Sequence, residues 1–194
     1  MNVTHMRRFS PSILCLAAAA MVMAGCTSTT PGQASTSTGS QSSAATGNGA
    51  PKVTNPKNLK AIADPCQLLT PQQLQEIGAS ESRPGKSPWG EESCTWRNDN
   101  LNLAIAPDTT QNQGLSILYA NKKSDSEETT VNGHPSLRYN KEGRSCALGV
   151  GVSDTQTFSI SMTVLRDVKP EYKDRCAFAE KVAGMVLSNL PPAS

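Results

Sequence analysis

Apolar residues are spread along this chain in three rhythms, and each rhythm predicts a different kind of segment. Behind Arg7 and Arg8 they run almost unbroken from Ile13 to Ala24 and end in small residues. That is the order of a secretory signal, and at about a dozen residues the run falls short of the ~20 that a spanning helix requires. From Thr27 to about Leu59 large apolar side chains nearly vanish among Ser, Thr, Gly, Pro, Ala, Gln and Asn. Such a stretch buries too little surface to offset chain entropy, so a disordered tether is expected. At about 33 residues its mean reach would be roughly 30 Å, and its Ser/Thr density invites O-glycosylation.

Periodicity returns beyond residue 60. Thr70-Pro71-Gln72-Gln73 supplies a Thr N-cap, Pro at the first helical position and Gln at the third, a capping box, with Leu69 and Leu74 where a hydrophobic staple would sit. Gly78 is the expected left-handed stop. Cys94 to Arg97 and Leu101 to Ile105 read as strands, and Gln113 to Ala120 as a short helix. Thr129 to Asn140 brackets Asn132-Gly133, a hairpin signal. Cys146 to Val152 and Thr157 to Leu165 follow as a meander, the second alternating Phe158, Ile160, Met162 and Val164 on one face. A final helix is expected from Pro170 to Asn189, with Tyr172, Cys176, Ala179, Ala183, Val186, Leu187 and Leu190 on one stripe. These elements predict an α+β fold: an antiparallel meander sheet with an N-terminal and a C-terminal helix on one face. The expected division is a lipoprotein signal peptide at 1–25, an anchored tether at 26–59 and a folded domain at 60–194.

The domain holds four cysteines, Cys66, Cys94, Cys146 and Cys176. An even number in an exported chain reads as two disulfides, with three connectivities open. Placing Cys66 before the first helix and Cys176 on the last favours a helix-to-helix bridge between them. Cys94 and Cys146, each at a strand start, would then staple neighbouring strands. No Cys/His spacing suited to zinc occurs, so no metal and no cofactor are expected.

Cys26 stands apart. Met23-Ala24-Gly25-Cys26 resembles the bacterial lipobox, whose cysteine is acylated and becomes the first residue of the mature chain. The alternative, cleavage that leaves Cys26 a free thiol, puts an unpaired cysteine in an oxidising compartment. Removing Arg7 and Arg8 with the leader takes 18 basic residues to 16, against 16 acidic. A net charge of zero offers no basic face for nucleic acid.

Asp64-Pro65-Cys66 leading to Leu68-Leu69-Thr70, then Cys94-Thr95-Trp96-Arg97, Val131-Asn132-Gly133-His134-Pro135, Cys146 in an alternating strand, and Cys176 with a helix ending Asn189-Leu190-Pro191 form an ordered set. Over about Asp64 to Pro191 this set resembles an actinobacterial secreted lipoprotein family catalogued as a domain of unknown function, the DUF3558-type domain. The resemblance implies an envelope lipoprotein with paired cysteines, and no catalytic residue, ligand or activity.

The residues themselves argue against an enzyme. Past the leader His134 is the sole histidine, expected in a solvent-exposed turn, and no Gly-x-Ser-x-Gly elbow supplies a nucleophile. Glu91-Glu92 and Glu127-Glu128 are adjacent pairs that point apart, not carboxylates facing across a cleft. Gly149-Val150-Gly151 has no lysine sequel and is no phosphate loop. Trp96, beside Cys94, is expected to pack in the core, and Arg97, Arg138 and Arg144 to solvate the sheet. Trp89, on a Pro88-Trp89-Gly90 loop, is the candidate partner contact. The expectation is a lipid-anchored binding or accessory module on the extracytoplasmic face of the cell membrane, with an envelope protein or lipid as partner. The alternatives are a carrier of a small apolar ligand and an envelope enzyme working around His134.

Overall fold

The computed structural model describes residues 49–193. The expected signal segment, Cys26 and most of the expected tether lie outside the described residues. Seven antiparallel strands form one sheet: β1 (Ser82–Lys86), β2 (Glu92–Arg97), β3 (Leu101–Asp108), β4 (Glu127–Val131), β5 (His134–Tyr139), β6 (Ser145–Gly151) and β7 (Thr157–Val164), in the order β1-β2-β3-β7-β6-β5-β4. Among the described residues three α-helices accompany it: α1 (Pro71–Ile77), α2 (Ser116–Ala120) and α3 (Arg175–Asn189). The fold is α+β. Two meanders, β1-β2-β3 and β4-β5-β6-β7, are joined where β3 pairs with β7 from Leu101↔Val164 to Asp108↔Thr157.

Alternation sets the two faces of this sheet. Leu101, Leu103 and Ile105 of β3, Ile160, Met162 and Val164 of β7, and Leu148 and Val150 of β6 share one face and are almost fully buried. Phe178, Ala179, Val182, Ala183, Val186 and Leu187 of α3 close this core. The opposite face carries short side chains instead: Ala104 and Ala106, Ser159 and Ser161, Ala147, Gly149 and Gly151.

Local signals place most elements as expected. Thr70 Oγ1 accepts from Gln73 N, the Gln73 side chain accepts from Thr70 N, and Gly78 ends α1 at φ 68°. Asn132 and Gly133 both take positive φ between β4 and β5, the backbone that a two-residue hairpin demands. Two elements differ. The last helix does not begin at Pro170: residues Pro170–Lys173 form a 3-10 turn, and α3 starts after Asp174, whose carboxylate caps Ala177 N at 2.9 Å. Tyr172 therefore belongs to the turn, where its hydroxyl donates to Ile77 O at 2.7 Å. Strand β1 was not anticipated, because its sequence, Ser-Arg-Pro-Gly-Lys, is exposed throughout and lacks alternation. It is an edge strand, where a proline leaves no ladder hydrogen bond to a further strand unmade.

Packing also extends ahead of residue 60. Lys57 N donates to Val152 O, Asn58 N to Pro191 O and Ala193 N to Pro56 O, so the two ends of the described chain lie side by side. Val53 N donates to Asp154 Oδ1 in the β6–β7 turn, and Leu59 is in the core. The expected border at residues 59 and 60 falls within this packed segment.

The disulfides are Cys66–Cys94 and Cys146–Cys176, with Cα separations of 5.0 and 5.3 Å. This corrects the expected pairing of Cys66 with Cys176 and Cys94 with Cys146. Cys94 lies on β2 and Cys146 on β6, with β3 and β7 between them. Three strand spacings amount to about 14 Å, far beyond the reach of one bridge. Each bond instead clamps a helical segment onto the strand beneath it, the turn at Pro65–Gln67 onto β2 and the first turn of α3 onto β6.

Sequence separations of 28 and 30 residues correspond to about 3.6 kcal/mol per bridge in the chain-entropy treatment. Non-reducing peptide mapping is expected to recover these two pairs and no others. Replacing Cys146 and Cys176 together by Ala should lower unfolding free energy by about 3–4 kcal/mol in urea titrations.

Candidate functional site

The residues between β3 and β4, 109–126, must travel from the centre of the sheet to its far edge, and they cross the face opposite α3. Helix α2 lies on this crossing. It can sit close because the strand beneath offers Gly149 and Gly151, where a Cβ would come within 2.1 Å of Leu118 Cδ1 and 2.6 Å of Leu115 Cδ1. Any larger residue there would force these leucines to move.

A second element borders the same face. The loop between β1 and β2 is closed by Ser87 N donating to Glu91 O and Gly90 N to Ser87 O. It is tied to the end of β3 at two points. Trp89 Nε1 donates to Pro107 O at 2.8 Å, and the Glu91 carboxylate accepts from Thr109 N, Thr109 Oγ1 and Thr110 Oγ1. Trp89 is thereby held half-buried in a fixed position.

Between the loop, the sheet and α2 lies a cavity of about 130 Å³ lined by Trp89, Asp108, Ile117, Leu118, Tyr139 and Ser159, among others. Leu118 and Tyr139 also border a neighbouring cleft of about 140 Å³ that opens toward Lys122 and Lys123. Asp108 is the unusual member. It is 9% exposed, has no ion-pair partner among the described residues, and accepts one long hydrogen bond, from Gln111 N at 3.4 Å to Oδ1. Loss of water, and then repulsion from Glu91, hold its carboxyl above the ordinary aspartate range, against the Gln111 bond that pulls it down. Burial likewise raises the Tyr139 hydroxyl. Buried carboxylates without a counter-ion are costly, which marks this cavity as more than a packing fault.

The other residues singled out in the sequence are spread apart. His134 is not an exposed turn residue: it opens β5 at 3% exposure, and Nδ1 lies 2.8 Å from Gly151 O. Trp96 is in the core near Cys94. Arg138 joins Glu180 of α3 and Glu127, and Arg144 Nη1 donates to Leu165 O, so both serve the fold. Glu92 pairs with Lys86 and Glu128 with Lys122. Arg97 borders an open depression of about 680 Å³ with Glu81, Arg83 and Asp99. Glu81 and Arg83 there are about 70% exposed and the signs are mixed, so this charged pair keeps its water. Of the sequence candidates, only Trp89 reaches the cavity. Asp108 and Tyr139 escaped notice, and the short helix expected over Gln113 to Ala120, found as Ser116–Ala120, was given no part in a site; the glycine alternation at 149 and 151 was the signal that something packs against that face.

No helix of the described residues is long and apolar enough to cross a membrane. A family model described as "Protein of unknown function (DUF3558)" matches residues 21–189. No curated protein and no solved structure matches the chain.

Asp108 yields a pH prediction. A carboxyl whose folded pKa is raised stabilises most below its unfolded value of 3.8, and that contribution is lost as pH rises through the folded value. At pH 7 the charged side chain is a net cost. Asp108→Asn, which keeps the acceptor for Gln111 N, should therefore raise the urea midpoint at pH 7, and the gain should shrink toward zero near pH 3.

Proposed function

The chain belongs to the DUF3558 family of proteins of unknown function, and from its residues we propose that it is a lipid-anchored binding module on the extracytoplasmic face of the cell membrane. A basic start and short apolar run ending in Met23-Ala24-Gly25-Cys26 support export, acylation and the actinobacterial lipoprotein character that the sequence set resembles. Two disulfides in a domain of this size support an oxidising compartment. On this reading the chain acts by binding and not by catalysis.

The observation that carries the binding role is the cavity beneath α2, with an aromatic wall fixed in place and a buried carboxylate left without a counter-ion. Its placement suits an anchored protein. The packed N-terminal segment reaches the domain at the β6–β7 turn through Val53 and Asp154. Thr157, the first residue of β7, borders the cavity just beyond that turn. The site thus lies at the end of the sheet where the N-terminal segment of the described residues packs. The side chains packed between α3 and the sheet are almost fully buried.

Cell fractionation tests the anchor. The wild-type chain should pellet with membranes, carry fatty acyl mass on Cys26 and be cut by protease added to intact cells. Cys26→Ser should move it to the soluble fraction. A native chain that keeps its leader unmodified, or a Cys26→Ser variant that still pellets fully, would overturn the assignment.

A further inference from the structure

We propose that the cavity beneath α2 binds a compact organic ammonium ion, with Asp108 as its counter-ion and Trp89 and Tyr139 as its aromatic walls. This deepens the binding role proposed above and rests on it. The argument begins with charge. Asp108 is nine-tenths buried, its Oδ2 has no donor among the described residues, and the charged group acting on it is another carboxylate, Glu91. Glu91 spends its oxygens on Thr109 and Thr110 and forms no ion pair among the described residues. One carboxylate thus borders the cavity and a second, Glu91, stands near enough to repel it, and neither has an ion-pair partner among the described residues. An occupant that brings a positive charge removes that imbalance.

The walls decide which cation. No group of three or more His, Cys, Asp or Glu able to hold a metal occurs among the described residues. A hard ion such as calcium asks for six to eight oxygen ligands with several carboxylates among them, whereas this cavity has one carboxylate, Asp108, and walls that include Trp89, Ile117, Leu118 and Phe158. A diffuse cation on a short apolar body has the opposite needs. Aromatic rings attract it through their electron-rich faces, alkyl groups pack against Ile117 and Leu118, and a single carboxylate balances the charge. Size then sets an upper limit. A volume of about 130 Å³ is well below the ~300 Å³ at which pockets for drug-sized ligands begin, so the occupant is a small ion and not a large amphiphile.

The site is also prepared in advance. Trp89 is fixed by its bond to Pro107 O and by the Glu91 clasp, and the backbone of Asp108 is fixed at the end of the β3–β7 ladder. Little side-chain freedom is left to lose on binding, which favours even a small ligand.

The experiment is calorimetric titration of the full oxidised chain with choline, with its uncharged isostere 3,3-dimethylbutan-1-ol, and with sodium chloride at matched ionic strength. Choline should bind, the isostere at least about tenfold more weakly, and sodium not measurably. Asp108→Asn should weaken choline about tenfold or more and leave the isostere unchanged. Because that variant is expected to be at least as stable at neutral pH, its loss of binding would not report unfolding. Trp89→Phe should retain part of the affinity, and Trp89→Leu should lose most of it. Equal affinity for choline and the isostere, or choline binding unaffected by Asp108→Asn, would refute the ammonium assignment while leaving a binding cavity. Absence of any binding up to about 20 mM, beyond the millimolar affinities a few contacts supply, would refute the cavity as a site for this ligand. None of these results bears on the acylation of Cys26, which fractionation decides separately.

Discussion

The ladder between β3 and β7 is the constraint on which the rest of the structure depends. Eight register pairs, from Leu101↔Val164 to Asp108↔Thr157, fuse a three-stranded and a four-stranded meander into one sheet. Because β3 is then central while β4 is at the edge, the intervening chain cannot turn back as a hairpin. It must cross a face, and the face under α3 is already filled with Phe178, Val182, Val186 and their partners. The crossing falls on the other side, where alanine, serine and glycine leave room. The cavity beneath α2 is a consequence of topology before it is a matter of particular side chains.

The two disulfides fix the opposite face. Each one joins a helical segment to the strand below it, at β2 and at β6, so the clamps lie on either side of the β3–β7 junction. This arrangement resists separation of the helical layer from the sheet at both meanders. Folded domains retain only about 5–15 kcal/mol of net stability. Two cross-links of about 3.6 kcal/mol each are a large share of that range, and they offset the burial of a carboxylate without a counter-ion at Asp108.

Much of the architecture was legible because it is written in local chemistry. The Thr70 capping box, the Gly78 stop and the Asn132-Gly133 turn each depend on a few adjacent residues, and the alternation from Phe158 to Val164 follows from burial of one face. What escaped was determined by neighbours distant in sequence. The cysteine pairing turned on how many strands separate β2 from β6, which no local pattern encodes. The start of α3 was masked because Pro170 and Asp174 both offer start signals, and the Asp174 cap is the one used. His134 looked like a turn residue beside Gly133, but the register Val131↔His134 puts it at the first pair of the hairpin, with its ring against Gly151. Trp89 was visible as a loop tryptophan, whereas Asp108 lies beyond the expected strand Leu101 to Ile105 and carried no local signal; only the fold brings them to one cavity.

The cavity has a fixed wall and a loosely held roof, and this asymmetry follows from the interactions that hold each. Trp89, Glu91 and the end of β3 are joined by hydrogen bonds whose geometry admits little displacement. Helix α2 has five residues and no side-chain N-cap, too short to persist without tertiary support. Its position rests on Leu115 and Leu118 seated over Gly151 and Gly149, contacts that are apolar and non-directional. Leu118 borders both the cavity and the neighbouring cleft, so a change of its rotamer alters the two volumes together. The charge-bearing side of the site is therefore set by the sheet, while its capacity is set by how one leucine lies across a glycine.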